Sequence, residues 1–276
     1  MRRREFITLL GGLVVWPITA HAQQSAGKLP RIGVIQTFRN ENYDAFLQGL
    51  HDDGYVDGQN VLLEVRFHGS ALDRLDEHAR EIVALKCNAI FASNPYSIRA
   101  VMKATSTIPI VGIDLESDPV ADGLVKSVSR PGGNFTGFFL DLPELGGKQI
   151  GLLMEAVPKI SRLAVLWDAT IGTIPFHATE MASRPAGVTL QSLPIRREED
   201  INDAIEQAVR ERVHGLVVLS SPLIFLQRPL IASMALSARL PTISLFTSFP
   251  KVGGLMAYGP DFPSLFKQAA GYIQPT

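Results

Sequence analysis

Residues able to hold a small polar molecule recur at one kind of place in this chain, just after a short apolar run. Thr37 and Phe38 follow "RIGVIQ", Ser93, Asn94, Pro95 and Tyr96 end and follow "NAIFA", and Asp114 follows "IPIVGI". Further along, Phe139, Leu140 and Asp141 follow "FTGF". Asp168 follows "LAVLW", Ser220 and Ser221 follow "GLVVL", and Phe246 and Thr247 follow "PTISL". Short hydroxyls, amides, single carboxylates and aromatic rings suit a neutral or zwitterionic small molecule. The same Ser, Asn and Asp types cap the helices that come next, so it is their recurrence at one edge that points to binding.

Residues that would do covalent chemistry are not arranged for it. The chain has no Gly-x-Ser-x-Gly elbow, no glycine-rich phosphate loop ending in Lys-Ser or Lys-Thr, and no Gly-x-Gly-x-x-Gly after its first apolar run. His51, His68, His78, His177 and His214 show no metal-site spacing. Cys87, the only cysteine, excludes an intramolecular disulfide and reads as a small buried hydrophobe at the edge of "CNAIFAS". The expectation is a protein that is not an enzyme, with no cofactor and no metal.

The elements that would position the strand-end residues follow from the hydrophobic pattern. Short apolar runs alternate with longer amphipathic ones: "RIGVIQT", "NVLLEVRF", "NAIFAS", "IPIVGIDL" and "FTGFFL" read as strands. The helix after the first run carries Phe46, Leu47 and Leu50 on one face and ends at Gly54. "DRLDEHAREIVALK" turns Leu75, Ala79, Ile82 and Val83 inward. "SIRAVMKAT" is the next helix.

The second half repeats the beat, with helix "GKQIGLLMEAV", strand "RLAVLWD", a weaker helix from His177 to Ser183, and strand "VTLQSLPI". A helix with Ile201, Ala204, Ile205, Ala208 and Val209 on its stripe follows, then "GLVVLSS", a helix from Leu226 to Arg239, "PTISLF", "GLMAYG" and helix "PSLFKQAAGYI". Alternating strands and helices give a parallel sheet covered on both faces. The pattern predicts an α/β protein of two doubly wound parallel-sheet lobes in series, joined near Leu140 to Leu145; the alternative is one large doubly wound sheet. Open parallel sheets bind ligands beyond the carboxyl ends of their strands, where the residues above collect.

The head of the chain, "MRRREFITLLGGLVVWPITAHA", joins three arginines to an apolar run broken by Gly11, Gly12 and Pro17, and to small residues at Ala20 and Ala22. Those are the parts of an export signal, and the run is too short for a membrane span. Arg3-Arg4-Glu5-Phe6-Ile7 also fits the twin-arginine form, so both export routes stay open. Cleavage is expected after Ala22, with Gln23 in place of the cysteine that lipid anchoring would need. The expected organisation is a signal at 1–22, a linker at 23–30, an N-terminal lobe at 31–140 and a C-terminal lobe at 141–276. Without residues 1–22 the chain carries 23 basic and 26 acidic residues, a net of −3, which gives no footprint for nucleic acid. With 46% hydrophobic and 19% charged residues, the chain has the composition of a folded protein.

Several stretches resemble a known family. "GYVDGQNVLLEVRF" (54–67), "TIPIVGIDLESDPVADGLVKSVSRPGGNFTG" (107–137), "PKVGGLMAYGPD" (250–261) and the "RRREFITLLGG" head are similar to ABC-transporter substrate-binding proteins of the tryptophan/tyrosine-uptake type. The resemblance implies a periplasmic, monomeric binding protein with a ligand cleft and hinge between two lobes, and a membrane permease with its ATPase as partners. Its mechanism would be hinge closure around a small organic molecule, an amino acid or similar. A ligand shifts that equilibrium only by binding the closed form better, so both lobes must touch it.

The expected ligand-binding set is Thr37, Ser93, Asn94, Asp114 and Phe139 from the first lobe and hinge, with Asp168, Ser221 and Phe246 from the second. An Asp would pair with a ligand amine, Ser93, Asn94 or the following helix start would receive a carboxylate, and Phe139 or Phe246 would stack on an apolar side chain. Two departures accompany the resemblance. Asp168-Ala169 stands where relatives carry Asn-Pro, which bears on ligand identity. The chain also stops at "GYIQPT", where a further strand and helix completing the first lobe are implied, which would leave a sheet edge unpaired. A ligand-sensing module for a membrane receptor and a truncated, non-functional copy are the alternative readings.

Overall fold

The computed structural model describes residues 29–69 and 71–274; the expected export signal and most of the expected linker lie outside them. The first lobe is a sheet of five parallel strands, β1 (Arg31–Gln36), β2 (Leu62–Phe67), β3 (Ala89–Ser93), β4 (Ile110–Ile113) and β5 (Phe135–Phe138), in the order β2-β1-β3-β4-β5. The second contains β6 (Arg162–Asp168), β7 (Thr189–Ile195), β8 (Leu216–Val218), β9 (Thr242–Ser244) and β10 (Met256–Ala257), in the order β10-β9-β8-β6-β7, again all parallel. The two-sheet expectation holds, and the single large sheet does not.

Strands covered by helices on both faces have no solvent face to make polar, which is why β3, "AIFAS", is buried at every position. The edge strand β2 is only half-buried and carries Glu64 and Arg66. Arg31 binds Glu64, and Arg66 Nε lies 2.7 Å from Glu81. These charges make β2 a poor template for further strand pairing.

Eight helices complete the described part: α1 (Glu41–Asp52), α2 (Leu75–Ala84), α3 (Pro95–Ala104), α4 (Leu142–Ala156), α5 (Ile174–Ser183), α6 (Asp200–Arg210), α7 (Pro222–Ser237) and α8 (Phe262–Ala270). Side-chain oxygens close four of their starts. Asn40 accepts the Tyr43 N–H, Asn94 that of Ser97, Asp141 that of Glu144 and Ser221 that of Ile224. The α1 helix ends where expected, with Gly54 at φ +85° just beyond it.

Several helix starts and one packing arrangement depart from the sequence expectation: the helix expected from Gly147 starts at Leu142, and the one expected from His177 starts at Ile174. The helix expected from Leu226 starts four residues earlier, because Ser221 and Pro222 supply a cap and a proline at the first turn, where the missing N–H costs nothing. The final helix, grouped by chain order with the lobe at 141–276, packs on the first lobe. It lies along α1, with Lys267 Nζ 2.6 Å from Asp52 and the Phe266 ring edge-on to Phe91 at 5.7 Å. The chain therefore crosses between lobes twice, after β5 and again after β10, and Gln149 of α4 ties the second crossing by donating to the Tyr258 carbonyl at 2.9 Å. The physical reason is apolar: Phe262, Phe266, Ala269 and Ala270 need a buried partner and find it in Phe46 and Leu50 of α1.

The α1–α8 approach is close enough to need glycine. A Cβ on Gly49 would stand 2.4 Å from the Lys267 carbonyl oxygen. Gly49→Ala is expected to push the helices apart and lower unfolding stability by about 1–3 kcal/mol in a denaturant titration; an unchanged midpoint would contradict this packing.

Candidate functional site

In each sheet the order of strands reverses once, between β1 and β3 and between β6 and β8, and these reversals leave a crevice at the carboxyl ends of the strands. Thr37 ends one side of the first crevice, with Ser93 and Asn94 on the other. Asp168 and Ser220-Ser221 hold the matching places in the second lobe. The two edges face each other across a narrow recess of about 80 Å³.

Five of the eight expected residues, Thr37, Ser93, Asn94, Ser221 and Phe246, line this recess. Asn94 and Ser221 do so while capping α3 and α7, so the capping and lining roles coincide. The Asn94 side chain is oriented by that cap. Its Oδ1 accepts from Ser97 N at 2.9 Å, which turns Nδ2 toward Thr37 Oγ1 at 3.2 Å and His68 Nε2 at 3.4 Å. His68 Nε2 is then the accepting nitrogen, and burial drives the ring's pKa down to about 4, keeping it neutral.

Asp168 lines an adjoining wider opening of about 500 Å³ that Thr37 and Phe38 also line. Its Oδ1 accepts from the Thr170 N–H at 2.9 Å and from the Thr170 hydroxyl, which in turn meets Tyr96 Oη of the other lobe. Burial is the main reason that Tyr96 is pushed up to about 12.

Asp114 and Phe139 are not brought to the recess. Asp114 is fully buried, and its carboxylate is occupied by the N–H groups of Glu116 (3.1 Å) and Ser117 (3.0 Å) and by the Ser117 hydroxyl. A strand-end carboxylate followed by two free N–H groups satisfies itself locally. Phe139 packs edge-on to Phe135 at 5.9 Å and lines a groove at the first crossing.

The recess contains groups absent from the expected set. Three phenylalanines, Phe38, Phe225 and Phe262, join the expected Phe246 in a continuous wall. Phe38 of the first lobe stacks on Phe225 of α7 at 6.0 Å, Phe225 meets Phe246 at 5.0 Å, and Phe246 meets Phe262 of α8 at 5.4 Å. The Arg228 guanidinium sits 4.1 Å from the Phe225 ring centroid. The start of α7 at Pro222 was the missing signal for Phe225, since a helix beginning at Leu226 leaves it in a loop.

Glu116 is the other addition. It lines the recess, accepts from the Ser220 hydroxyl of the opposite lobe, and accepts at Oε2 from Leu115 N at 3.3 Å. Burial first, then the negative charges of Asp114 and Asp168, push its carboxyl up to about 7. Among the described residues no cluster of three or more His, Cys, Asp or Glu side chains is placed to hold a metal ion, and no helix is long and apolar enough to cross a membrane.

The raised Glu116 carboxyl has a consequence for stability. From the ordinary value of 4.5 up to about 7 the folded chain holds a proton that the unfolded chain has released, so this group's contribution is complete below the lower value and is lost as pH rises through the upper one. Glu116→Gln should therefore raise the melting temperature of the ligand-free protein more at about pH 8 than at about pH 5. An equal shift at both values would contradict the assignment.

The family model for ABC transporter substrate binding protein matches residues 32–275. A tyrosine-binding protein of Clostridioides difficile is 26% identical over 246 residues, covering 86% of this chain and 70% of that protein. The structure of an ABC domain from Streptococcus pneumonia in complex with L-Trp superposes with a TM-score of 0.80 at 20% identity, covering 89% of this chain and 83% of that one. A conserved domain protein of Vibrio cholerae superposes equally well, with a TM-score of 0.80 at 22% identity over the same shares.

Proposed function

Because this chain belongs to the family of ABC transporter substrate-binding proteins, we propose that it captures an aromatic amino acid between its lobes and delivers it to a membrane permease driven by an ATPase. It does so as a monomer, by binding and release without chemistry on the ligand. In this reading residues 1–22 direct export, and the protein works in the periplasm, free of a lipid anchor.

The observation that carries the reading is the phenylalanine wall, because it is built from both lobes and ends beside polar groups. An aromatic side chain gains both area and edge or face contacts there. The starts of α3 and α7, one from each lobe, are the natural receivers of a carboxylate, since the positive end of each helix dipole lies there. A ligand held by both helix starts favours the closed arrangement by the free energy of the contacts it gains on closing.

The amide of Gln36 bears on which side chain fits. Asn40 Oδ1 already accepts the Tyr43 N–H at 3.1 Å, so Gln36 turns its Nε2 toward that oxygen at 3.4 Å. Its own Oε1 is left buried with no partner, as is Oδ1 of Asn42, and both residues line the recess. Buried acceptors without donors are costly unless the ligand supplies the donor. A phenolic hydroxyl or an indole N–H supplies one and a phenyl ring does not.

The test is a thermal-melt screen of the protein against the common amino acids and other small metabolites. L-Tyr or L-Trp at a hundred times its dissociation constant should add about 2.7 kcal/mol and raise the melting temperature by several degrees. L-Phe should bind at least tenfold more weakly, and Phe225→Ala should weaken the best ligand by more than tenfold. A screen in which no amino acid shifts the melt, or in which only a non-aromatic one does, overturns the reading.

A further inference from the structure

The Glu116 carboxylate is placed to do more than join the lobes. It is 6% exposed, it lines the recess, and it receives two hydrogen bonds, from the Ser220 hydroxyl and the Leu115 N–H, where a carboxylate offers about four acceptor positions. The charges acting on it are those of Asp114 and Asp168, both of its own sign. Arg99 acts on Asp114 rather than on Glu116 and is itself paired with Asp122 at 2.6 Å, and the Tyr96 phenol faces Asp168 and Glu116 from α3. A buried carboxylate without a cation either keeps its proton or takes a cation from elsewhere.

We propose that Glu116 is the receiver of the ligand's ammonium group, and that capture of the ligand expels a proton from Glu116, making uptake by this protein proton-linked. The inference rests on the amino-acid reading above. In the empty recess Glu116 holds its proton and is neutral. When the ligand enters, its ammonium group keeps all three hydrogens, the Glu116 O–H bond breaks, the electron pair stays on the carboxylate, and the proton leaves to solvent. The ammonium group replaces the proton as the partner of the Glu116 carboxylate, and the negative charge that the ligand's own carboxylate brings is met at the helix starts. The Ser220 hydroxyl donates to the same carboxylate from the second lobe when the lobes are closed. Asp114 cannot take this role, because both its neighbouring N–H groups and the Ser117 hydroxyl occupy it, and Asp168 is engaged by Thr170 at the outer opening.

The linkage has a definite sign. Below the midpoint of Glu116 the ligand must displace a bound proton, so affinity rises with pH by up to tenfold per unit and levels off above it, until the ligand's own amine begins to lose its proton. The experiment is calorimetric titration of L-Tyr and L-Trp into the wild-type protein in two buffers of different ionisation enthalpy, at about pH 6 and about pH 8. The observed heat should differ between the buffers by close to one proton released per ligand at the lower pH and by little at the higher. The analogue 3-(4-hydroxyphenyl)propionate, which lacks the amine, should bind at least tenfold more weakly than L-Tyr and release no proton. Glu116→Gln should lose at least tenfold in affinity for L-Tyr at about pH 8, and its binding should no longer depend on buffer or pH. Tight binding of L-Tyr or L-Trp with buffer-independent heat at both pH values overturns the proton linkage while leaving the amino-acid reading intact. Failure of both amino acids to bind overturns that reading, and the inference with it.

Discussion

A sheet of parallel strands wrapped by helices on both faces has few places where a small molecule can enter, and the strand ends at its reversal of order are the chief of them. This protein has two such sheets, and everything proposed for it depends on the two reversals facing one another. That is secured by the chain crossing twice between lobes, the second time through α8, which returns to lie on α1. Gly49 permits the approach, and Phe91, Phe262 and Phe266 fill it. A single crossing would leave the second lobe free to swivel; two crossings limit that freedom and give the proposed closure its hinge.

Once the edges face each other, the chemistry of the recess follows from what each lobe can supply. Polar residues at the strand ends are occupied by the backbone first. Asn94 and Ser221 cap helices, and Asp114 clasps its own turn. What remains for a ligand is the unsatisfied surplus: helix starts, the buried amide oxygens of Gln36 and Asn42, and the carboxylate of Glu116. The apolar part is shared more evenly, with Phe38 from one lobe, Phe225 and Phe246 from the other, and Phe262 from the returning helix. The recess is therefore apolar on one wall and polar and acidic on the other, which suits the zwitterion with an aromatic side chain proposed as its ligand.

The fold was largely legible because its signals are local. Burial of "AIFAS" on both faces, the α6 stripe of Ile201, Ala204, Ile205 and Ala208 (Val209, expected beside them, is exposed) and the Gly54 stop of α1 each follow from a few neighbouring residues. The site was legible only in part, for the same reason. Thr37, Ser93, Asn94, Ser221 and Phe246 stand at strand ends in the sequence and at the recess in the fold. Asp114 stands at a strand end too, but whether a carboxylate faces outward or bonds its own following N–H groups is a matter of backbone turn that periodicity does not carry. Glu116 was invisible for the opposite reason, since its burial exists only where Ser220, more than a hundred residues away, closes over it. Phe225 was hidden by a helix start set by Ser221 and Pro222 rather than by apolar spacing.

In the proposed function one ligand touches both lobes and thereby holds them together. Small-angle X-ray scattering of the protein alone and saturated with L-Tyr or L-Trp tests it most directly. A ligand bridging the starts of α3 and α7 should lower the radius of gyration and narrow the distribution toward a single compact form. Saturating binding with an unchanged scattering profile would mean that the ligand sits on one lobe only, and that the facing strand ends are not a shared site.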